Sequence, residues 1–300
     1  MNLDDHRCFF CLGQRIAQLA AYYGVSPAVK RRVVTDVAQI YADYGHGLPP
    51  SEFNRELYGY LHHQFPDQSP FWAWKKSLND KALEVQTALR GRVRMQPHPF
   101  QRALRVSLMA SGLDMAQLSP QQILAHMEEG FRTKLAIDHS ARLQALMRPG
   151  ATVLFLGDRA GEIVMDRLFI RFLKGMHVVY VVRDQGMGFS VSCEDADYVR
   201  MEAYAAVLPD GCKGPAVLLN HASESLRTAF QWADVIVAKG CTHLESLYRL
   251  EDPRLFVLMR CACPVVASAL SVPEGSYLVI NPVLRQQELQ DAATSYPPLS

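Results

Sequence analysis

Between Gly157 and Asp166 the chain reads Gly-Asp-Arg-Ala-Gly-Glu-Ile-Val-Met-Asp. Asp158 and Arg159 stand at the tip of an apolar run. Glu162 and Asp166 follow four residues apart, the spacing that places two side chains on one helix face. Two other runs end in the same polar manner. One is Arg183-Asp184-Gln185-Gly186, leading to Glu194-Asp195-Ala196-Asp197; the other is Lys239-Gly240-Cys241-Thr242-His243-Leu244-Glu245. Carboxylates of this kind offer hard oxygens to a divalent cation. A lysine or arginine, with backbone N–H groups, clamps the oxygens of a phosphoryl group. A plainer use competes at each tip: an Asp after a strand caps a turn, and a Glu in the first helical turn complements the helix dipole. Three polar tips in one sheet favour a site over three unrelated turns.

Such tips need a sheet to align them, and the second half of the chain supplies one. Residues 151–157, 177–183, 216–219, 233–240, 255–261 and 277–282 are short apolar runs, the mark of strands buried on both faces. Helical segments alternate with them, from Gly161 to Gly175 and over 223–232. The expected architecture is a three-layer, Rossmann-like α/β domain over 150–300 with a mostly parallel sheet and its ligands beyond the strand C-termini. The first 149 residues read as a helical domain. Ile16, Leu19 and Ala20 share one face; Val29, Val33, Val37 and Ile40 form a second stripe; Phe53, Leu57 and Leu61 form a third, with Ser51 as a cap. Further helices are expected over 71–89, after Ser119-Pro120 and over 138–148. Trp72 and Trp74, two apart, cannot share a helical face, so one packs inside and the other lies at a surface or near the site.

Composition narrows the classes. With 31 basic and 30 acidic residues the formal charge is +1, and nothing global steers the chain to nucleic acid. No run reaches the roughly 18 apolar residues of a membrane span. The N-terminus, MNLDDHRCFFC, lacks the basic start and long apolar stretch of a signal peptide. Seven cysteines, an odd number at low density, suit a reducing cytoplasm. The turn after Gly157 is not the three-glycine turn that admits a pyrophosphate, which argues against a nicotinamide enzyme. The sheet pattern alone leaves a methyltransferase open.

Residues 157–166 resemble the Gly-Asp-Asn-Ala-Gly-Glu-Ile-Val-x-Asp signature of the metal-dependent damage-control phosphatases, once grouped as domain of unknown function 89. Weaker likenesses follow in the family's order. Cys8 and Cys11 resemble its N-terminal Cys-x-x-Cys; Ser69-Pro70-Phe71, Lys75 and Asn79 resemble its Asp-Pro-Tyr…Lys…Asn segment; Ser111 and Asp114 resemble its Gly-Asn-x-x-Asp. Residues 189–196 resemble its Asn-Asp…Glu-Asp-Ala stretch, 239–245 its Lys-Gly-x-Gly-Asn-x-Glu, and 260–263 its late Lys-Ala-Lys-Cys. The resemblance implies a helical domain joined to a Rossmann-like sheet and hydrolysis of small phosphometabolites. It implies Asp158 as the main metal ligand, Lys239 and Arg159 on phosphate, Glu162 or Asp195 orienting water, and Ser111, Asp114, Trp72 and Lys75 toward substrate.

The departures bear on the metal. The family holds its metal with the Asp and Asn of the signature and the Asp of the later Asn-Asp pair. Here Arg159 replaces the Asn and Ser190 the second Asp, while Ser111 and His243 replace two further Asn. Arginine is a fixed cation and cannot ligate a metal. Two readings follow. Either Arg159 occupies the metal's charge and the pocket takes a small anion without the usual hydrolysis, or the site is rebuilt from Asp158, His243, Ser190 and Glu245. A rebuilt site would shift preference from Mg²⁺ toward Mn²⁺, Fe²⁺ or Zn²⁺, with Co²⁺ and Ni²⁺ as further candidates, and would open transition-metal chemistry other than phosphate hydrolysis. The expected partner is a small anionic metabolite in either case, with oligomeric state left open.

Cys8 and Cys11 have the spacing of a metal or redox pair, and Cys263 is brought near them by the resemblance, so zinc at Cys8, Cys11 and Cys263 stands beside free buried thiols as a reading. Cys241 would be reactive if Lys239 or a helix N-terminus lowered its pKa.

Overall fold

The computed structural model describes residues 5, 7, 8, 11, 13, 14, 16, 17, 23–44, 50–65, 69–94, 97–184 and 188–294. The described residues between 7 and 17 are helical, and Leu19 and Ala20 of the first expected stripe lie outside the described residues. Helix α1 (Pro27–Tyr44) opens on proline, whose fixed φ suits a first helical position. It buries Val33 and Val37 and leaves Val29 exposed, so the expected stripe is shorter by one turn. Helix α2 (Pro50–Gln64) buries Phe53, Leu57 and Leu61 as a stripe; Ser51 lies inside its first turn rather than capping it. These helices, Ile16 and Phe71 form a small apolar cluster of their own.

The long helix α3 (Ser69–Arg94) buries Leu78, Ala82, Val85, Leu89 and Val93 at spacings of three and four. Helix α4 (Pro99–Ala110) follows, then α5 (Pro120–Gly130), whose start is fixed by a capping box between Ser119 and Gln122. A two-residue strand β1 (Ile137–Asp138) and helix α6 (Ser140–Leu146) lead into strand β2 (Thr152–Leu156) and helix α7 (Glu162–Ile170). Strand β3 (His177–Val182), helix α8 (Cys193–Tyr198) and strand β4 (Ala206–Pro209) come next. The chain ends with helix α9 (Glu224–Trp232), strand β5 (Val235–Lys239), helix α10 (Cys241–Leu247), strand β6 (Leu255–Arg260), helix α11 (Pro264–Leu270), strand β7 (Tyr277–Ile280) and helix α12 (Pro282–Thr294).

The seven strands form one sheet in the order β1-β7-β6-β5-β2-β3-β4, with every pairing parallel except β6 with β7. Strand alternation sorts the core into two faces. Val153, Phe155, Val235, Val237, Phe256 and Leu258 pack with α3, α4, α5 and α7 on one side. Leu154, Leu156, Ile236, Ala238, Leu255 and Val257 pack with α9, α10 and α11 on the other. Helices from the first half of the chain thus cover one face of the sheet directly, and β1 adds a strand to it from before residue 150.

One strand expectation fails. Residues 216–219 are not a strand: Ala216, Val217 and Leu218 are buried off the sheet. Strand β4 takes the free edge of β3 instead, pairing Val179 with Ala206 through to Val182 with Pro209. The run 216–219 is apolar because it is covered, and burial without a neighbouring ladder makes no strand. Among the described residues no helix is long and apolar enough to cross a membrane.

Candidate functional site

Strands β2, β3 and β5 are adjacent and parallel, so their C-terminal tips lie side by side. Two networks of buried charge fill the space below and beside them. The first centres on Lys239 at the end of β5, which is wholly buried. Its Nζ donates to the carbonyl oxygen of Ser107 and to Asp166 Oδ1, both at 2.8 Å, and sits 3.2 Å from Glu162 Oε2. Ser107 Oγ donates to Asp166 Oδ1 at 2.6 Å, and the Tyr180 hydroxyl donates to Asp166 Oδ2 at 2.8 Å. Burial works against the Lys239 charge, yet Asp166 and Glu162 outweigh it and raise its pKa.

The second network ties α3 to the loops after β2 and β3. Lys75 Nζ lies 2.5 Å from Asp195 Oδ2 and donates to Ser192 Oγ at 2.8 Å. Asp195 also accepts from the Ser192 backbone and hydroxyl and from Asn79 Nδ2. Asn79 Oδ1 in turn accepts from the Gly161 amide at 2.7 Å. Gly161 has φ 78°, and a Cβ there would come 2.9 Å from Met115 Sδ, so the turn into α7 needs glycine.

Above these networks lies a cavity of about 290 Å³, walled by Trp74, Phe189, Leu113 and Met115 and carrying Asp114, Arg159 and Glu162. The Trp74 and Phe189 rings lie 4.1 Å apart. Glu162 Oε1 accepts from the Gly112 amide at 3.3 Å. Its buried Oε2 is within ion-pair reach of Lys239 but outside hydrogen-bonding alignment. Burial raises the Glu162 pKa to about 7 against the pull of Lys239, and Asp158 adds to the rise. Asp158 sits beside the cavity, packed under Gly240: a Cβ at Gly240 would meet Asp158 Oδ2 at 2.1 Å. Arg159 Nε lies 3.8 Å from that carboxylate, and the Arg159 and Ser190 backbones form an antiparallel bridge.

The geometry redistributes the residues singled out from sequence. Lys239, Lys75 and Asp195 are buried in the networks and paired there with other side chains. Trp72 packs edge-on against Tyr198, and Trp74 is the member of the pair that faces the cavity. Ser111 is buried at the end of α4, while Asp114 lines the cavity and caps the following turn by accepting from the Ala116 amide. His243, expected as a metal ligand, has both ring nitrogens engaged: Nδ1 bonds the Lys239 carbonyl at 2.7 Å and Nε2 meets Arg183 Nη2 at 3.0 Å. The carbonyl can only accept and the guanidinium can only donate, so the ring is neutral with Nδ1–H. Burial, then Arg183, lowers its pKa to about 3. Arg183 is itself paired with buried Asp210. Glu245 accepts from Cys241 Sγ at 3.5 Å.

Tyr180, Ser107 and Asp210, the partner of Arg183, escaped the sequence reading. Tyr180 left one signal, a hydroxyl inside an otherwise apolar strand, which when buried must find a partner.

The profile of the Damage-control phosphatase ARMT1-like domain matches residues 5–278. The chain belongs to this family. A damage-control phosphatase of Pyrococcus horikoshii is 24% identical over 282 residues, covering 92% of this chain and 97% of the relative. A damage-control phosphatase of Archaeoglobus fulgidus is 26% identical over 215 residues, covering 69% and 74%. A crystal structure of a DUF89 family protein from P. horikoshii superposes with TM-score 0.85 at 23% identity, covering 92% of this chain and 98% of that one. Family homologues of this kind support a phosphatase-like function on a Rossmann-like sheet.

The divalent metal implied by the family does not fit the donor set at these strand tips. Asp158 faces a guanidinium, Glu162 is shared with Lys239, His243 has no free nitrogen, and Ser190 is neutral. Among the described residues no three His, Cys, Asp or Glu side chains are grouped to hold a metal ion. The expected zinc at Cys8, Cys11 and Cys263 finds no such group either. Cys8 and Cys263 pack against the same apolar cluster as Cys241, and Cys11 is exposed. The Cys8 thiol is pushed up to about 11 by burial and then by Glu245, and Cys241 is raised through its hydrogen bond with Cys263 and burial, so both stay protonated and Cys241 is not activated.

Proposed function

We propose that the chain is a phosphatase-like protein for a small phosphorylated metabolite, in which Arg159 supplies the positive charge at the phosphate. The observation that carries this reading is the placement of Arg159 and Glu162 in one cavity beyond the end of β2. A guanidinium presents two parallel N–H groups to phosphate oxygens and binds them in a charge-assisted fork. Asp158, 3.8 Å away, orients the guanidinium, whose side chain stays 42% exposed. Trp74 and Phe189 offer an apolar wall to the organic part of the ester.

Glu162, which lines the cavity and has its pKa raised to about 7, is suited to exchange a proton with water at neutral pH. In hydrolysis the water oxygen forms the new P–O bond, the ester P–O bond breaks, and the proton held by Glu162 passes to the departing alkoxide. Lys239 keeps Glu162 in place from below, and Asp195 with Lys75 holds the Gly161 turn through Asn79.

The test is phosphate release from a panel of small phosphomonoesters, in EDTA and with Mg²⁺ or Mn²⁺. We expect turnover that survives EDTA and is lost in Arg159→Ala. Turnover strictly dependent on added metal would overturn the role given to Arg159. Binding of phosphomonoesters by calorimetry with no turnover in any condition would make the protein a metabolite binder on the same pocket.

A further inference from the structure

We propose that the chain carries a second ligand site, for a small molecule bearing two or more linked phosphates, in a cavity at the far end of α7. The cavity has a volume of about 540 Å³. Four cations surround it: Arg90 and Arg94 from the last turns of α3, and Arg171 and Lys174 just after α7. Among the described residues no acidic side chain lines it. Among the described residues none of the four cations has a carboxylate within ion-pair distance. In a chain whose formal charge is only +1, four unpaired cations around one hollow are a local excess.

Two of these cations also bear on a neighbouring arginine. Arg167, beneath them, has its pKa lowered first by burial and then by Arg171 and Arg90. The C-termini of α3 and α7 both point here, and their partial negative charge offsets some of this repulsion without consuming any guanidinium donor. Arg171 is held over the Tyr204 ring, 5.5 Å from its centre, which restricts the side chain before any ligand arrives. Leu168 and Phe172 add an apolar floor. Several cations spaced around a hollow of this size match a chain of linked phosphates better than one orthophosphate, which two guanidinium forks already saturate.

This site is separate from the Arg159 cavity, and the two share no lining residue. Helix α7 starts at Glu162 beside the tip of β2 and returns along the sheet, so its C-terminus lies toward the opposite edge, about 13 Å away at 1.5 Å per residue. All nine residues of α7 are buried, which makes it a fixed strut between the two hollows.

The experiment is calorimetric titration of the full chain with inorganic tripolyphosphate at low and at moderate salt. We expect one saturable site whose affinity falls with salt, and orthophosphate binding far more weakly there. Gly91 lies on the cavity wall, and a Cβ added to it meets nothing within 4 Å. Gly91→Glu therefore inserts an acid among the cations without a clash, in a helix that tolerates glutamate better than glycine. It should weaken tripolyphosphate by at least about tenfold while the melting temperature holds. The double change Arg90→Ala, Arg94→Ala should do the same, and Arg159→Ala should leave binding intact. The proposal fails if no saturable binding is seen, or if Gly91→Glu binds like the parent. It fails equally if Arg159→Ala abolishes the binding, or if a single-stranded oligonucleotide binds in a Gly91-dependent way and tripolyphosphate does not.

Discussion

Two cations stand at neighbouring strand tips, and they are opposites. Lys239, ending β5, is wholly buried, with Asp166, Glu162 and a backbone carbonyl around its ammonium. Arg159, just past β2, has a side chain 42% exposed and one carboxylate at 3.8 Å. In sequence both read as phosphate clamps. In the folded chain one is a fastener of the core and the other is available to a ligand. Residue type at a strand tip thus names a chemistry, and the saturation of its hydrogen-bonding groups decides whether that chemistry is used on the protein or on a substrate.

The sharpest way to break the contrast is Lys239→Met. It leaves Glu162 and Asp166 buried without their counter-charge, and loss of one partner of a buried pair costs about 3–5 kcal/mol. Denaturant unfolding should show that loss; a variant as stable as the parent would mean Lys239 is not the fastener described. Arg159→Ala should sit at the other extreme, changing stability by no more than about 0.5 kcal/mol as surface replacements do. It should nevertheless weaken phosphomonoester binding roughly tenfold to a hundredfold, as expected for a charge-assisted pair. Equal losses of stability in the two variants would erase the distinction.

Glu162 sharpens the comparison from the side of pH. Its carboxyl is protonated below about 7 and ionised above. If it accepts the proton of water, turnover should climb with pH through about 7, and Glu162→Gln should remove the climb. A flat profile in the parent protein would assign Glu162 to the scaffold alongside Lys239.

His243 gives a smaller, purely structural effect. Its folded pKa, near 3, lies below the ordinary histidine value of 6.5. Above pH 6.5 both states are neutral. As pH falls below that, the unfolded chain takes a proton that the folded ring refuses, so stability is lost progressively toward pH 3. The midpoint temperature of His243→Gln should therefore fall less steeply between pH 6.5 and 4 than that of the parent. The smallest contrast is within the tryptophan pair: Trp74→Phe should alter ligand affinity, and Trp72→Phe should leave it unchanged.

The alternation of apolar runs with amphipathic helices fixed the class of fold in advance, because a strand buried on both faces and a helix buried on one must differ in period. The ten residues from Gly157 to Asp166 announced a polar tip and the family, since a tight turn, an acid and a helix start leave a local mark. Strand β4 and the status of 216–219 were not legible, because a four-residue strand is defined by the edge it pairs with. His243, Lys75 and Asp195 could not be told from ligands for the same kind of reason. Arg183 lies 60 residues from His243, Ser192 lies 117 from Lys75, and Asn79 lies 116 from Asp195. The sequence alone determined which groups stand at the strand tips. Tertiary structure decided which of them are spent on each other, because solvation and saturation belong to the neighbours a side chain acquires only when the sheet and its helices close around it.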